Sequence, residues 1–174
     1  MLRLLPRWRR AALLLLLVPA LAACDPNRVY EDNTDLKTGG QPYLWSVQNK
    51  PAFEFEITDP AQPYNVYLNV RNASGYGYYN LYIKATLFGP DGKPVEPSKL
   101  HQMILMDPKT GEPRGNGTGD IYDHQFLAMP RQRFPQAGKY RVVLEQYMRQ
   151  DVLPGIMSVG VRVEKVAGEG SAGS

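Results

Sequence analysis

Tyr64-Asn65-Val66-Tyr67-Leu68-Asn69-Val70-Arg71 alternates without a break. Successive side chains of a strand point to opposite faces, so Tyr64, Val66, Leu68 and Val70 share one side, and Asn65, Tyr67, Asn69 and Arg71 the other. One dry and one wet side is the pattern of an antiparallel sheet with a solvated face. The same period recurs on either side. Upstream, Phe53, Phe55 and Ile57 alternate with Glu54 and Glu56. Downstream, Leu81, Ile83, Ala85 and Leu87 alternate with Tyr82, Lys84, Thr86 and Phe88. Further strands are expected near Leu100–Met106, Tyr122–Met129, Tyr140–Glu145 and Val159–Val163, with an edge strand at Arg28–Glu31. The 15 prolines and 16 glycines fall mostly between these runs, as in the turn Gly89-Pro90-Asp91-Gly92-Lys93-Pro94. No stretch carries a sustained helical stripe; the nearest, Glu145 to Leu153, is short. The expected fold is all-β: a single antiparallel β-sandwich domain, with a jelly-roll order of strands as one option.

The chain opens with Arg3, Arg7, Arg9 and Arg10, then an apolar run from Ala11 to Val18, then Leu21-Ala22-Ala23-Cys24. A cationic start, a short apolar core and small residues before a cut describe a secretory signal. The apolar run is too short to span a bilayer, which takes about 20 residues. Leu21-Ala22-Ala23-Cys24 fits a lipobox, so residues 1–23 read as a lipoprotein signal peptide and Cys24 as the lipidated first residue of the mature chain. Cys24 is the only cysteine, which leaves the mature domain without disulfides. Residues 24–42 read as the lipidated cysteine and a polar tether, 43–166 as the sandwich, and 167–174 as a disordered Gly/Ser tail. Removing the four leader arginines leaves 16 basic against 17 acidic side chains, a net charge of −1. A near-neutral domain offers no electrostatic case for nucleic acid.

His101 and His124 lie in no metal-spacing motif and read as surface or strand-end residues. Ser46, Ser74, Ser98 and Ser158 lack the elbow of a serine nucleophile. The most distinctive loop is Gly115-Asn116-Gly117-Thr118-Gly119-Asp120-Ile121-Tyr122-Asp123-His124. Asn116, Asp120 and Asp123 offer hard oxygens suited to calcium, but turn-capping aspartates in a flexible loop explain them as well. No catalytic set and no cofactor loop stands out, and the domain is expected to fold without metal. Of the eleven tyrosines, Tyr64, Tyr67, Tyr76, Tyr78, Tyr79 and Tyr82 cluster. Tyrosine has an apolar ring and a polar tip and suits contact surfaces, so these six form a candidate binding face. The plain alternative is that tyrosine favours strands.

An ordered set of short matches runs along the mature chain: Cys24-Asp25-Pro26-Asn27-Arg28-Val29-Tyr30-Glu31, Tyr79-Asn80-Leu81-Tyr82, Gly117-Thr118-Gly119-Asp120-Ile121-Tyr122-Asp123, Gly138-Lys139-Tyr140, Leu153-Pro154-Gly155-Ile156 and Arg162-Val163-Glu164. In these the chain resembles the GldH family of gliding-motility lipoproteins of the Bacteroidetes. The resemblance covers most of 24–166 and leaves out Pro108–Arg114 and the tail. It implies a non-enzymatic component or scaffold of the gliding and type IX secretion apparatus, with no cofactor and no catalytic residues. The expected partners are the membrane, through acyl chains such as palmitate on Cys24, and other gliding or secretion lipoproteins or membrane proteins. The expected location is the cell envelope, on the periplasmic side of the outer membrane. The other open reading is a glycan-binding lipoprotein of a polysaccharide-uptake system, working through the tyrosine-rich face.

Overall fold

The computed structural model describes residues 25–167. The signal peptide, Cys24 and residues 168–174 lie outside the described residues. Within them the chain forms β1 (Arg28–Asp35), β2 (Lys37–Thr38), β3 (Gln41–Pro42), β4 (Leu44–Ser46), β5 (Ala52–Ile57), β6 (Tyr64–Ala73), β7 (Asn80–Phe88), β8 (Lys99–Ile104), β9 (Asn116–Thr118), β10 (Ile121–Gln132), β11 (Gly138–Gln146), β12 (Val152–Pro154) and β13 (Ile156–Lys165). No helix occurs among the described residues.

Eight of these strands are six residues or longer: β1, β5, β6, β7, β8, β10, β11 and β13. They divide into a first sheet ordered β1-β13-β6-β10-β9 and a second ordered β5-β11-β7-β8. Taken in sequence, the first long strand pairs with the eighth, the second with the seventh, the third with the sixth and the fourth with the fifth, all antiparallel. That nested pairing is one long hairpin wrapped into two layers, which is the jelly-roll arrangement.

The alternation read from the sequence becomes the core. Tyr64, Val66, Leu68 and Val70 of β6 and Val159, Val161 and Val163 of β13 face Phe53, Phe55 and Ile57 of β5, Leu81, Ile83 and Leu87 of β7, and Tyr140, Val142 and Leu144 of β11. All are buried. Burying each such side chain contributes about 1.5–3 kcal/mol before the entropy of ordering is subtracted. Phe134 sits at one end among Phe55, Tyr64 and Tyr140, with ring centroids 6.0, 5.5 and 4.6 Å away. Near β4 and β12, which pair with each other, Trp45 and Leu153 are fully buried. The Trp45 indole N–H is satisfied by the Asn49 carbonyl at 2.8 Å.

Two local expectations change, and one, the lack of a helix, holds. The edge strand at Arg28–Glu31 runs on to Asp35 and pairs with β13 through Ser158. The stretch read as tether therefore joins the first sheet, and Leu36 beyond it is buried. The backbone hydrogen bonds of β13 drive this, since they would otherwise be left open at a sheet edge. Glu145–Leu153 holds no helix: β11 ends at Gln146, a turn follows, and β12 begins at Val152. The glycine-rich loop is a tight hairpin, with Thr118 opposite Ile121. Gly119 takes the first turn position at φ +65°, where a residue without a Cβ is favoured.

Candidate functional site

The long strands present two outer faces of different chemistry. On the second sheet, Tyr82 and Lys84 point outward from β7, Leu100 from β8 and Glu145 from β11. With Tyr78, Tyr147 and Met148 they line a groove of about 960 Å³. Tyr147 is 60% exposed, Leu100 52% and Tyr78 37%, so the groove walls are apolar surface held in water. Scattered exposed apolar residues are ordinary, but a contiguous apolar groove marks a contact site.

Backbone hydrogen bonds fix the groove's shape. The Tyr147 N–H donates to the Tyr82 carbonyl at 2.8 Å, and the Tyr82 N–H donates to Met148 Sδ at 3.3 Å. Buried Gln146 accepts from the Met148 N–H at 2.9 Å and donates from Nε2 to the Gln150 carbonyl at 2.7 Å. The turn after β11 is thereby clamped to β7, and Tyr147 is presented on a short, bonded segment. Lys84 Nζ lies 5.8 Å from the Tyr147 ring centroid. Glu145 sits between Lys50 at 2.7 Å and Lys84 at 3.3 Å. The hydrogen bond from Lys50 does most to hold its carboxyl below the usual range, against the opposing effect of burial.

The six clustered tyrosines do not make one face. Tyr64 points into the core, because the alternation that buries Val66 and Leu68 buries it too. Its hydroxyl donates to the Asp59 carbonyl at 2.8 Å. Tyr76 is also buried; burial raises its phenol above the ordinary value, and the hydroxyl donates to the Asn80 carbonyl at 2.9 Å. Tyr67 lies on the outer face of the first sheet, opposite Arg162 and Leu127. Tyr79 is exposed but lies outside the groove. Tyr78 and Tyr82 remain, joined by Tyr147, Met148 and Leu100, which sequence reasoning did not single out. Leu100 and Tyr147 break no alternation, and only the pairing of β8 and β11 against β7 brings them together.

The outer face of the first sheet is polar. The register sets three rows across β1, β13, β6 and β10: Glu31-Arg162-Tyr67-Leu127, Asn33-Gly160-Asn69-Gln125 and Asp35-Ser158-Arg71-Asp123. Arg71 grips Asp123 with two bonds, Nε to Oδ1 at 2.7 Å and the second at 3.1 Å. Arg162 bonds Glu31 at 2.8 Å and also meets Glu164 and Asp25. Burial pushes the Glu31 carboxyl up, but hydrogen bonds from Arg28, Arg162 and Asn69 hold it below its ordinary value.

The candidate cation ligands are engaged separately. Asp123 is taken by Arg71, Asp120 accepts from the Ser74 hydroxyl at 3.2 Å, and Asn116 stands opposite Asp123 on β9. Among the described residues no three histidine, cysteine or acidic side chains gather as a metal would need. His124 is not a surface residue. It faces inward opposite Val70 and is buried. Its Nε2 lies 2.9 Å from Asn72 Oδ1, and Asn72 Nδ2 already donates to the Ala73 carbonyl, so the ring is the donor. Burial lowers the pKa of both histidines. His101 Nε2 is buried with no hydrogen-bond partner.

A family model described as GldH lipoprotein matches residues 28–163. The chain is 30% identical over 151 residues to a protein of Christiangramia forsetii named "Gliding motility lipoprotein GldH homolog", covering 83% of this chain and 88% of that one. It is 26% identical over 166 residues to "Gliding motility lipoprotein GldH" of Flavobacterium johnsoniae, covering 91% and 98%. Among solved structures, dimeric latent PorU from Porphyromonas gingivalis is similar over 84% of this chain and 14% of its own, at 12% identity. The TM-score is 0.34.

Proposed function

The chain belongs to the GldH lipoprotein family, and on that premise we propose that it is a lipid-anchored, non-enzymatic component of a gliding-motility apparatus linked to type IX secretion. It works by holding a protein partner in the groove of the second sheet. The groove is the observation that carries this reading: Tyr78, Tyr82, Tyr147, Leu100 and Met148 form an exposed apolar contact surface on a bonded frame. Aromatic anchors of this kind dominate the energetics of protein interfaces. Catalysis by a histidine-activated hydroxyl finds no support. His124 is bonded to Asn72, and His101 Nε2 bonds to nothing.

Cys24 carries the lipid and the domain faces the periplasm from the outer membrane. Only Asp25, Pro26 and Asn27 lie between Cys24 and β1, and extended they reach about 10 Å. The sandwich then sits against the membrane surface, with Asp25 bound to Arg162 on the first sheet. Its partner is accordingly a membrane-proximal protein. Replacing Tyr82 and Tyr147 together by alanine tests the reading in cells. Spreading and secretion should fail while the protein keeps its abundance and membrane fractionation. Loss of a single anchor tyrosine weakens an interface by ~2 kcal/mol, about thirtyfold in affinity. Normal motility in the double variant would overturn the docking role.

A further inference from the structure

The polar outer face of the first sheet is a second site, of different chemistry and separate from the groove. Its centre is Gly160. A Cβ there would fall 2.0 Å from Asn33 Oδ1 and 2.4 Å from the Asp32 carbonyl. The bare backbone lets the Asn33 side chain lie across β13 and reach the strand beyond. Asn69 Nδ2 donates to Asn33 Oδ1 at 3.4 Å and to Glu31 Oε1 at 3.1 Å, and Gln125 Nε2 donates to Asn69 Oδ1 at 3.1 Å. An amide chain running in one direction thus crosses four strands. It leaves a donor, Asn33 Nδ2, at one end and an acceptor, Gln125 Oε1, at the other. Aligned bonds of this kind polarise and stiffen one another.

Above this chain lies a cleft of about 430 Å³, within the size of small-ligand sites. Its charges are mostly spent internally: Asp123 on Arg71 and Glu31 on Arg162. Among the described residues the Asp35 carboxylate makes no hydrogen bond or ion pair, though its charge acts on Arg71, and it adds an acceptor to the row beside the amides; the Ser158 hydroxyl lines the cleft from a largely buried position. An apolar ligand finds little dry surface here, and a polyanion would meet three lining carboxylates, Glu31, Asp35 and Asp123, against the one guanidinium of Arg71. A neutral ligand dense in hydroxyls fits, because each hydroxyl both donates and accepts. Strands spaced about 4.8 Å apart make the four-strand floor about 14 Å wide, enough for two or three sugar rings.

We propose that this cleft, floored by Asn33, Asn69 and Gln125 and flanked by Asp35 and Ser158, binds a neutral saccharide. The test is isothermal titration of the full-length lipidated protein in a sugar-free zwitterionic detergent. The probes are N-acetylglucosamine oligomers, representing cell-wall glycan, and neutral hexose oligomers, representing other polysaccharides. Binding of either set is expected, and which one binds identifies the source. Asp35→Ala and Gln125→Ala, both exposed and off the core, should each weaken it at least tenfold with an unchanged melting temperature. Tyr147→Ala, on the opposite sheet, should bind as the parent does. No binding of either set at millimolar concentration would overturn the proposal. So would binding that survives both cleft changes, or binding lost with Tyr147→Ala.

Discussion

Two residues, one in each sheet, carry consequences larger than their size. Gly160 must stay bare for Asn33 to cross it, so Gly160→Ala has to push Asn33 and the Asp32 backbone away. The expected loss is about 1–3 kcal/mol, the usual range for overpacking, read as a drop in the denaturation midpoint. On the second sheet, His101 presents the opposite case, a buried nitrogen with nothing to bond. Exchanging such a group for an apolar one of similar bulk removes a desolvation penalty of about 1–3 kcal/mol, so His101→Leu should raise the melting temperature. The histidines also set a pH dependence. Both have folded pKa values below the ordinary 6.5, through burial first. As the pH falls through 6.5 the unfolded chain takes up protons that the folded chain refuses. Stability is therefore full above that value and declines beneath it. Thermal unfolding at about pH 7.5 and 5.5 should show the decline, smaller in His101→Leu. A flat profile would mean that the two rings stay hydrated.

Single elements show where the sequence was transparent. β5, β6, β7, β11 and β13 were visible as period-2 runs, because each turns one set of alternate side chains into the core; β1, exposed along almost its whole length, shows no such period and was read only over Arg28–Glu31. The short strands β2, β3, β4, β9 and β12, of two or three residues, hold too few side chains to show any period. The site was legible only in pieces. The polar row Asn65, Tyr67, Asn69 and Arg71 could be read directly from β6. Tyr82, Leu100 and Tyr147 stand far apart in sequence and meet only because β8 and β11 both pair with β7. Clustering in sequence misled for Tyr64, whose place in the alternation had already assigned it to the core. Tyr64→Ala should consequently cost about 3 kcal/mol or more, as for other large aromatic truncations, while Tyr82→Ala should change the midpoint far less. Similar losses for both would place Tyr82 in the core. β1 gives a further test: it covers the β13 edge and bonds it over its whole length. A chain beginning after Asp35 should lose cooperative unfolding, which a flexible tether would not cause.

At the scale of the molecule, one jelly roll offers a polar face and an apolar groove on opposite sheets, with Cys24, the proposed lipid attachment point, separated from the first strand by three residues. Near-neutral charge leaves shape and local chemistry to choose partners. Cys24→Ala should release the chain from the membrane fraction without altering the fold, because Cys24 precedes every strand of the described residues; labelled palmitate and fractionation check this. The central claim is that the groove holds a protein partner. In-cell photocrosslinking from position 147 in the full lipidated protein addresses it most directly, with a photoreactive residue in place of Tyr147 and a second strain carrying it in place of Lys139, at the far end of β11 and outside the groove. The expected result is a discrete crosslinked protein from position 147 that is absent from position 139 and disappears when Tyr82 is also changed to alanine. Identical crosslinking from both positions, or none from position 147 in cells that glide and secrete normally, would contradict it.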